Sequence, residues 1–113
     1  IDKVINKTDH PVTIVNNHGE EMARFAPSQS PAYVDDRDKP VAKYRKDGIL
    51  ISIIKKVGVK VEDLPPPRDG IMYIVSSRVA KEADAERNDL LLPDEIFRGE
   101  KGELKGCRQL SIG

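Results

Sequence analysis

Short runs of β-branched residues separated by polar turns make up the N-terminal half of the chain. The runs at Val4–Ile5, Val12–Val15 and Glu21–Phe25 are predicted strands, since such residues fit a pleated, half-buried surface. Residues 16–19, with two asparagines, a histidine and a glycine, predict the turn between the second and third runs, because Asn and Gly tolerate positive φ. Ala26–Pro31 is a predicted loop.

The middle of the chain carries its longest apolar run. Tyr33–Val34 predicts a short strand, Asp35–Lys39 a charged connection, and Val41–Tyr44 another strand that ends at the turn of residues 46–48. Ile49–Ile54 fits a buried strand or a buried helix by periodicity, and its β-branched content favours the strand. Beyond it, Val57, Val59 and Val61 alternate with polar positions, which predicts a half-buried strand with one wet face.

The C-terminal half alternates between strand and helix signals. Ile71–Val75 predicts a central strand, and Ser76 or Ser77 is placed to cap a short helix over Arg78–Glu86. The three prolines before this strand predict an extended brace, because proline cannot donate to a β-ladder. Further strands are predicted at Leu90–Leu92, Ile96–Arg98 and Leu104–Ile112. The pattern predicts a single α+β domain over residues 1–113: a small, mainly antiparallel β-sheet with one short helix in the C-terminal half.

The charge balance limits the classes of partner. Lysine plus arginine and aspartate plus glutamate both total 19, so the formal net charge is zero. A protein dedicated to DNA or RNA usually needs a basic excess for phosphate contacts, so we expect no nucleic-acid partner. The chain has only five aromatic residues, which predicts a small core and favours a homo-oligomer, because subunit contacts supply additional burial.

Cysteine content and hydropathy indicate the compartment. Cys107 is the only cysteine, so no internal disulfide forms and a reducing environment fits best. No run of about 18 apolar residues is present, and no signal-peptide pattern is seen. We therefore expect a cytoplasmic protein that has no membrane partner.

The sequence contains no recognisable set of catalytic or metal-binding residues. The histidines, His10 and His18, and Cys107 have no spacing used by metal sites, so no metal and no cofactor are predicted. Ser76 and Ser77 lack a nucleophile elbow, and capping of a helix explains them without chemistry. The chain is therefore predicted not to be an enzyme.

Two arginines suggest an anion site. Arg78 stands in the first turn of the predicted helix, where a cation opposes the helix dipole and a bound anion would compensate it, with the amides of Ser76 and Ser77 nearby. Strand parity puts Arg108 on the more apolar face of the last strand, where it needs a partner such as phosphate, a carboxylate or a second subunit. A bulge at Gly106 that turns Arg108 outward is the alternative.

The turn of residues 87–89 has two interpretations. Asn88 and Asp89 could bind a base or a ribose through their amide and carboxylate groups. The same residues could form an ordinary turn held by an Asx cap, which the residue types favour.

The C-terminal third resembles a family of small phage, prophage and bacterial proteins. The resemblance rests on LPPPRDGIMYIVSSRVA, on Arg87, Asp89, Leu90 and Pro93, and on GELKGCRQL, which correspond to the patterns LPxPxxGxxYIVSxxVA, RxDLxxP and GCRxL. Asn6, Thr8, His10 and Val12 match the NLTPHxV-like opening of that family, whereas Lys7 and Asp9 depart from it. In size and element order the chain is also similar to Thoeris anti-defence sponges.

This resemblance implies a non-enzymatic binder that sequesters a nucleotide-derived immune signal, either a cyclic ADP-ribose isomer or a cyclic oligonucleotide. Arg78 and Arg108 would hold phosphates, together with the amides of Ser76 and Ser77. Tyr73 or Phe97 would stack on adenine, and Asn88 would bond a ribose or base edge. The alternatives are a protein-binding inhibitor or accessory factor that acts through a surface, and a small nucleotide hydrolase.

Overall fold

The computed structural model describes all 113 residues and confirms the α+β class, with 56% of the chain in strands and one short helix. Six strands form one sheet and two form a separate hairpin. In chain order the elements are β1 Lys3–Asn6, β2 Val12–Val15, β3 Glu21–Phe25, β4 Tyr33–Lys46, β5 Ile49–Glu62, β6 Ile71–Ile74, α1 Ser77–Glu82, β7 Leu90–Arg98 and β8 Leu104–Ile112.

The six-stranded sheet and α1 form what we call the body. The strand order is β1-β6-β7-β8-β2-β3. The β1–β6, β6–β7 and β2–β8 pairs are parallel, and the β7–β8 and β2–β3 pairs are antiparallel. Helix α1 connects the parallel neighbours β6 and β7, as a crossover connection between parallel strands requires.

Strand β6 is the centre of the body because both of its faces are buried. Met72 and Ile74 point into one apolar cluster with Val12, Leu91 and Cys107. The alternate residues of the same strand point to the opposite side, into a cluster formed by Ala32, Tyr73, Val75, Val79 and Leu90. A strand that is covered on both faces has apolar residues at successive positions. The continuous apolar run Ile71–Val75 therefore indicates a central strand.

The two edges of the body sheet are tied together by Asn6. Its Nδ2 donates to the carbonyl oxygens of His10 at 2.9 Å and Ala26 at 3.1 Å, at the end of β3. Its Oδ1 accepts from the backbone N–H and the hydroxyl of Thr8, at 2.9 and 2.7 Å. Asn6 on edge strand β1 thus reaches the end of edge strand β3, so the sheet curls around the first apolar cluster.

Strands β4 and β5 form a hairpin that we call the arm, residues 33–62. It is antiparallel from the Tyr33–Glu62 pair to the Lys46–Ile49 pair. Asp47 and Gly48 at its tip have φ of 50° and 78°, the positive values that the tightest hairpin turn needs. Only the base packs on the body, where Val34 and Val61 contact the cluster around Val79.

The arm corrects three predictions about the middle of the chain. Asp35–Lys39 is not a connection, because β4 continues through it. Ile49–Ile54 is a strand as predicted, but it is exposed, since no second layer covers it. Val57 and Val59 are exposed as well, and only Val61 is partly buried.

Two boundaries in the C-terminal half also differ from prediction. The helix ends at Glu82, four residues early, and Ala83 caps it in an extended conformation. Strand β7 runs without interruption through Pro93, where two strands were predicted. No helix in the structure is long and apolar enough to cross a bilayer.

Candidate functional site

Ser76 and Arg78 lie together on an open cleft where α1 meets the base of the arm. The cleft has a volume of about 250 Å³, and its other lining residues include Thr8, His10 and Tyr33. A neighbouring hollow of about 390 Å³ shares Thr8, His10 and Ser76 and adds Ser77. The structure therefore brings together three of the predicted ligand-binding residues, Ser76, Ser77 and Arg78.

The roles of these three residues are partly structural. Ser76 is the N-cap of α1, as predicted, and its Oγ accepts from the backbone N–H of Val79 at 3.2 Å. The guanidinium of Arg78 donates to the carboxylate of Asp36 on β4. This hydrogen bond holds the pKa of Asp36 below its usual value. Arg78 thus already has an anionic partner, and the pair fastens the arm to the helix.

Thr8 and His10 line the cleft but were not assigned to a site from the sequence. Thr8 is buried, and its hydroxyl oxygen lies 2.9 Å from the carbonyl oxygen of His10 as well as 2.7 Å from Oδ1 of Asn6, so the two acceptors share its single proton. His10 itself is exposed. The only signal for this segment in the sequence was its match to the NLTPHxV-like opening. In the structure, Asn6 and Thr8 organise the turn that leads into β2.

Arg108 does not reach this cleft. The pairing of β7 with β8 shifts at Phe97–Arg98, opposite Gly106, whose φ is 154°. Cys107 is buried and Arg108 is exposed. The prediction that Arg108 lies on the apolar face is wrong, and an irregularity beside Gly106 is present, as the alternative supposed. Its guanidinium carbon lies 5.3 Å from the centroid of the Phe97 ring, a cation–π contact.

The remaining predicted contacts are dispersed over the molecule. Tyr73 is 2% exposed and packs in the core beneath α1, so its ring is not available to stack on a base. Asn88 lines a different hollow, with Gly70 and Ile112. Phe97 lines a third one, of about 610 Å³, with His18 and Lys101. These residues do not form one pocket with Ser76 and Arg78.

The turn of residues 87–89 is held by an ion pair and not by the Asx cap that the residue types favoured. Arg87 donates from Nε and Nη2 to the two carboxylate oxygens of Asp89, at 2.8 and 2.9 Å, and from Nη2 to the carbonyl oxygen of Pro65 at 2.9 Å. The two side chains are only 12% and 10% exposed. The arginine holds the pKa of Asp89 below its usual value. The pair fastens the proline segment to the entrance of β7.

Neither a metal site nor a reactive thiol is assembled. No group of three or more His, Cys, Asp or Glu side chains is placed to hold a metal ion. Cys107 is buried, and this burial raises the pKa of its thiol, so it stays protonated and inert at neutral pH.

The arm carries ten of the fifteen large hydrophobic side chains that are exposed in the molecule. Cross-strand partners share a face of a β-ladder, so Tyr44 and Ile51 lie on the same face as Ile53 and Ile49. These four side chains are 44–65% exposed. We call them the apolar face of the arm. The opposite face carries Lys43 and Arg45 with Leu50 and Ser52.

Charge is distributed unevenly between the arm and the rest of the chain. Residues 39–56 contain six lysines and arginines and a single carboxylate, Asp47, a net charge of +5. Because the chain as a whole is neutral, all other residues together carry −5. At the base of the arm, partial desolvation and the carboxylates of Glu62, Asp63 and Asp35 raise the pKa of Tyr33, which marks that region as acidic.

Comparison with protein-family models, curated proteins and solved structures finds no match to this chain. The candidate sites therefore stand on their geometry and chemistry: a cleft at Ser76–Arg78 and the apolar face of the arm.

Proposed function

We propose that this chain is a non-enzymatic binding protein that docks on a protein partner through its arm and acts as an inhibitor or accessory factor. The observation that carries this proposal is the apolar face of the arm. An isolated two-stranded hairpin is marginally stable in water, and it needs further strands or a packed surface to become independently stable. Fourteen-residue strands whose outer parts contact nothing in the chain therefore favour a partner that covers them.

The composition of the arm favours a macromolecular partner over a small ligand. Tyr44, Ile49, Ile51 and Ile53 lie along one exposed face of an extended hairpin and line none of the five main hollows of the molecule, whereas small ligands bind in concave pockets. Exposed apolar patches with a charged rim are typical of protein-interaction sites, and Lys39, Lys43, Arg45, Lys46, Lys55 and Lys56 supply that rim.

Site-specific photo-crosslinking tests this role. Tyr44 is replaced by the aromatic photo-crosslinker p-benzoylphenylalanine, and the control carries it at Met22, an exposed body residue. We expect irradiation in the producing cell to give a discrete protein adduct from position 44, absent from position 22. The adduct should disappear when Ile51→Thr and Ile53→Thr are added. Failure to form any protein adduct at position 44 would contradict docking through the arm.

A second candidate function is sequestration of a nucleotide-derived immune signal, as in the anti-defence sponges that the chain resembles. It is favoured by the two adjoining hollows at Ser76, one lined by Arg78 and the other by Ser77, where Thr8 and His10 add further hydrogen-bonding groups. A phosphate bound there would compete with Asp36 for the guanidinium of Arg78.

A retention experiment tests the sponge function. The protein is incubated with cyclic ADP-ribose isomers and with cyclic di- and trinucleotides, separated from free ligand, and heated to release what it holds. Recovery of intact ligand by the native protein and by the control Arg98→Ala, but not by Arg78→Ala, is expected of a sponge. Recovery of converted ligand indicates the hydrolase alternative, and a lack of retention by the native protein rules out sequestration of these ligands.

A further inference from the structure

Four strands of this protein have an outer edge with no strand beside it. The body sheet ends in β1 and β3, and the arm consists of β4 and β5 alone. An unpaired edge accepts a strand from another chain unless it is short, charged, bulged or interrupted by proline. The four edges differ in how many of these features they carry.

Three of the edges carry features that hinder pairing. β1 and β3 have only four and five residues, and β3 is charged at Glu21 and Arg24. β4 contains Pro40, which has no N–H to donate to a further strand. Val41, next to it, has no partner across the ladder, and an extra residue of this kind bends the edge of β4 away.

β5 has the one edge without these features. Between Ile49 and Lys56 every residue is exposed and has a partner in β4, and none is a proline, a glycine or a residue with positive φ. The first six of these residues are uncharged, and all but Ser52 are isoleucine or leucine. Alternate residues of an antiparallel strand direct their backbone groups to opposite sides, so half of those of β5 face solvent.

The strand that fits this edge is the β5 of a second copy. Two identical strands pair antiparallel about a two-fold axis normal to the sheet, and directly opposite residues then lie on the same face. With Ser52 opposite Ser52 of the second copy, the flanking residues form four apolar pairs and two lysine–isoleucine pairs. These are Ile51 with Ile53, Leu50 with Ile54, and Lys55 with Ile49, each formed twice.

This register is the best one that residues 49–56 offer. No other centre within the stretch gives as many apolar pairs, and no two cations stand directly opposite each other. The tip of each arm ends beside Lys56 of the other copy, short of Val61, where the arm meets the body. The two bodies therefore lie at opposite ends of the paired arms.

Pairing through β5 gives a sheet that closes at four strands, in the order β4-β5-β5-β4. The outer strands are the two copies of β4, in which Pro40 and the extra Val41 hinder the addition of a further strand. A hairpin of two strands is marginal in water, whereas three or more strands with an apolar face reach independent stability. The second copy thus supplies the stability that the outer arm lacks.

The interface is small, and its two sides carry the same charge. Seven paired residues span about 24 Å, and a sheet is about 10 Å thick, so each copy buries roughly 240 Å² of edge. This is far below the area of a standard interface and predicts a weak, reversible dimer. Residues 39–56 carry +5 in each copy, so salt should strengthen the pairing by screening the repulsion.

We propose that two copies of this chain pair edge to edge through β5, antiparallel and with Ser52 opposite Ser52, to form a four-stranded sheet. The pairing goes beyond the proposed function, because it uses the edge of the arm and leaves the apolar face open. On that face Tyr44, Ile51 and Ile53 of both copies form one continuous apolar band, so the docking surface is doubled.

Disulfide trapping tests the register. Opposite residues of an antiparallel pair have Cα atoms about 4.5–5.5 Å apart, within the range of a disulfide. Ser52→Cys should therefore give a covalent dimer under mild oxidation. The control Lys43→Cys lies across from Ser52 on the outer strand, where the two copies would be about 14 Å apart, and should not be trapped. Cys107 is buried and does not compete.

Sedimentation velocity measures the strength of the pairing. The native protein is expected to dimerise with a dissociation constant of about 10–500 μM, which falls several-fold as salt is raised. Ser52→Lys places two lysines opposite each other and should raise the constant at least about fivefold. Met22→Lys adds the same charge to an exposed position of the body and should change it little. Circular dichroism establishes that each variant is folded.

Amide hydrogen exchange identifies the strand that pairs. Protection should rise with protein concentration in β5 and not in β4. A native protein that stays monomeric at about 2 mM overturns the proposal. A dimer that protects β4, weakens with salt or is not trapped by Ser52→Cys also overturns it. Photo-crosslinking from position 44 reports on the apolar face alone, so docking and pairing can each fail without the other.

Discussion

The body and the arm are built from strands of similar composition, yet the body buries its β-branched residues and the arm exposes them. Ile74 in β6 is 0% exposed, whereas Ile53 in β5 is 45% exposed. The local backbone is extended in both cases, so the difference comes from what lies above and below each strand. Strand β6 has a packed layer on both faces, and the outer arm has none. An apolar side chain in the body therefore contributes to folding, and one in the arm is available for association.

The polar anchors of the two regions differ in the same way. The Arg87–Asp89 pair in the body is nearly buried, bidentate and bonded to a backbone carbonyl. The Arg78–Asp36 pair at the base of the arm is more exposed, with side chains 54% and 28% accessible. Water screens the attraction between the charges of the exposed pair. Two arginine–aspartate pairs therefore stabilise the folded state to different extents.

The largest expected effect is therefore loss of the buried pair. Asp89→Asn leaves Arg87 charged and without its carboxylate, and should lower the free energy of unfolding by about 3 kcal/mol at pH 7. Asp36→Asn, the matched change at the base of the arm, should cost clearly less. Urea denaturation of both variants measures the difference, and an equal loss would refute the contrast between the regions.

The same pair makes a pH prediction. Because the pKa of Asp89 is lowered in the folded state, its contribution is complete above the unfolded value of about 3.8 and is lost as the pH falls through the folded value. The stability gap between the native protein and Asp89→Asn should therefore be constant near neutrality and narrow below about pH 4. A gap that instead widens in acid would contradict this role for the carboxylate.

Two glycines with nearly the same φ allow the cost of a steric clash to be distinguished from the cost of backbone strain. Gly106 in the body and Gly58 in the arm have φ of 154° and 153°. A Cβ at Gly106 would lie 2.5 Å from the backbone oxygen of Thr13, whereas one at Gly58 would meet nothing within 4 Å. Gly106→Ala should cost about 2–3 kcal/mol and Gly58→Ala about 1, as thermal unfolding would show. Similar costs would mean that strain alone decides both positions.

The smallest expected effect lies on the apolar face of the arm. Ile53→Thr should change the unfolding free energy by less than about 0.5 kcal/mol when measured at a dilution where only monomer is present. Ile74→Thr, the buried counterpart in β6, should cost about 2–3 kcal/mol, because it removes buried apolar volume and buries a hydroxyl. A large effect of Ile53→Thr in the monomer would show that the arm packs within its own chain.

Local patterns were sufficient for the short elements of the body. The bounds of β2, β3 and β8 agree with prediction, and so does the cap of α1 at Ser76, one of the two serines predicted for it. Each depends on signals a few residues apart: alternation, turn residues, or a serine ahead of a helical run. Strand parity failed for Arg108, because irregularities of a strand pair cannot be identified from a single sequence; here the register shifts beside Gly106, and Glu95 on the paired strand has a φ of 52°.

The residues of the candidate sites show the same difference between what nearby residues determine and what the tertiary structure determines. Ser76, Ser77 and Arg78 are adjacent in sequence, so their position at two adjoining hollows follows from local structure, and the structure adds Thr8 and His10 from a distant turn. Tyr73, Asn88, Phe97 and Arg108 are separated by the sheet, and no local pattern reveals on which side each one lies.

The sequence by itself determined that the chain is β-rich with one short helix, carries no net charge and has a single thiol. These properties follow from composition and from periodicities of two and 3.6 residues, which act over one element. Only the tertiary structure decided that residues 33–62 form an arm and that its isoleucines are exposed, because burial depends on which elements pack above and below a strand. The same isoleucines that predicted a core strand are therefore the candidate interface of this protein.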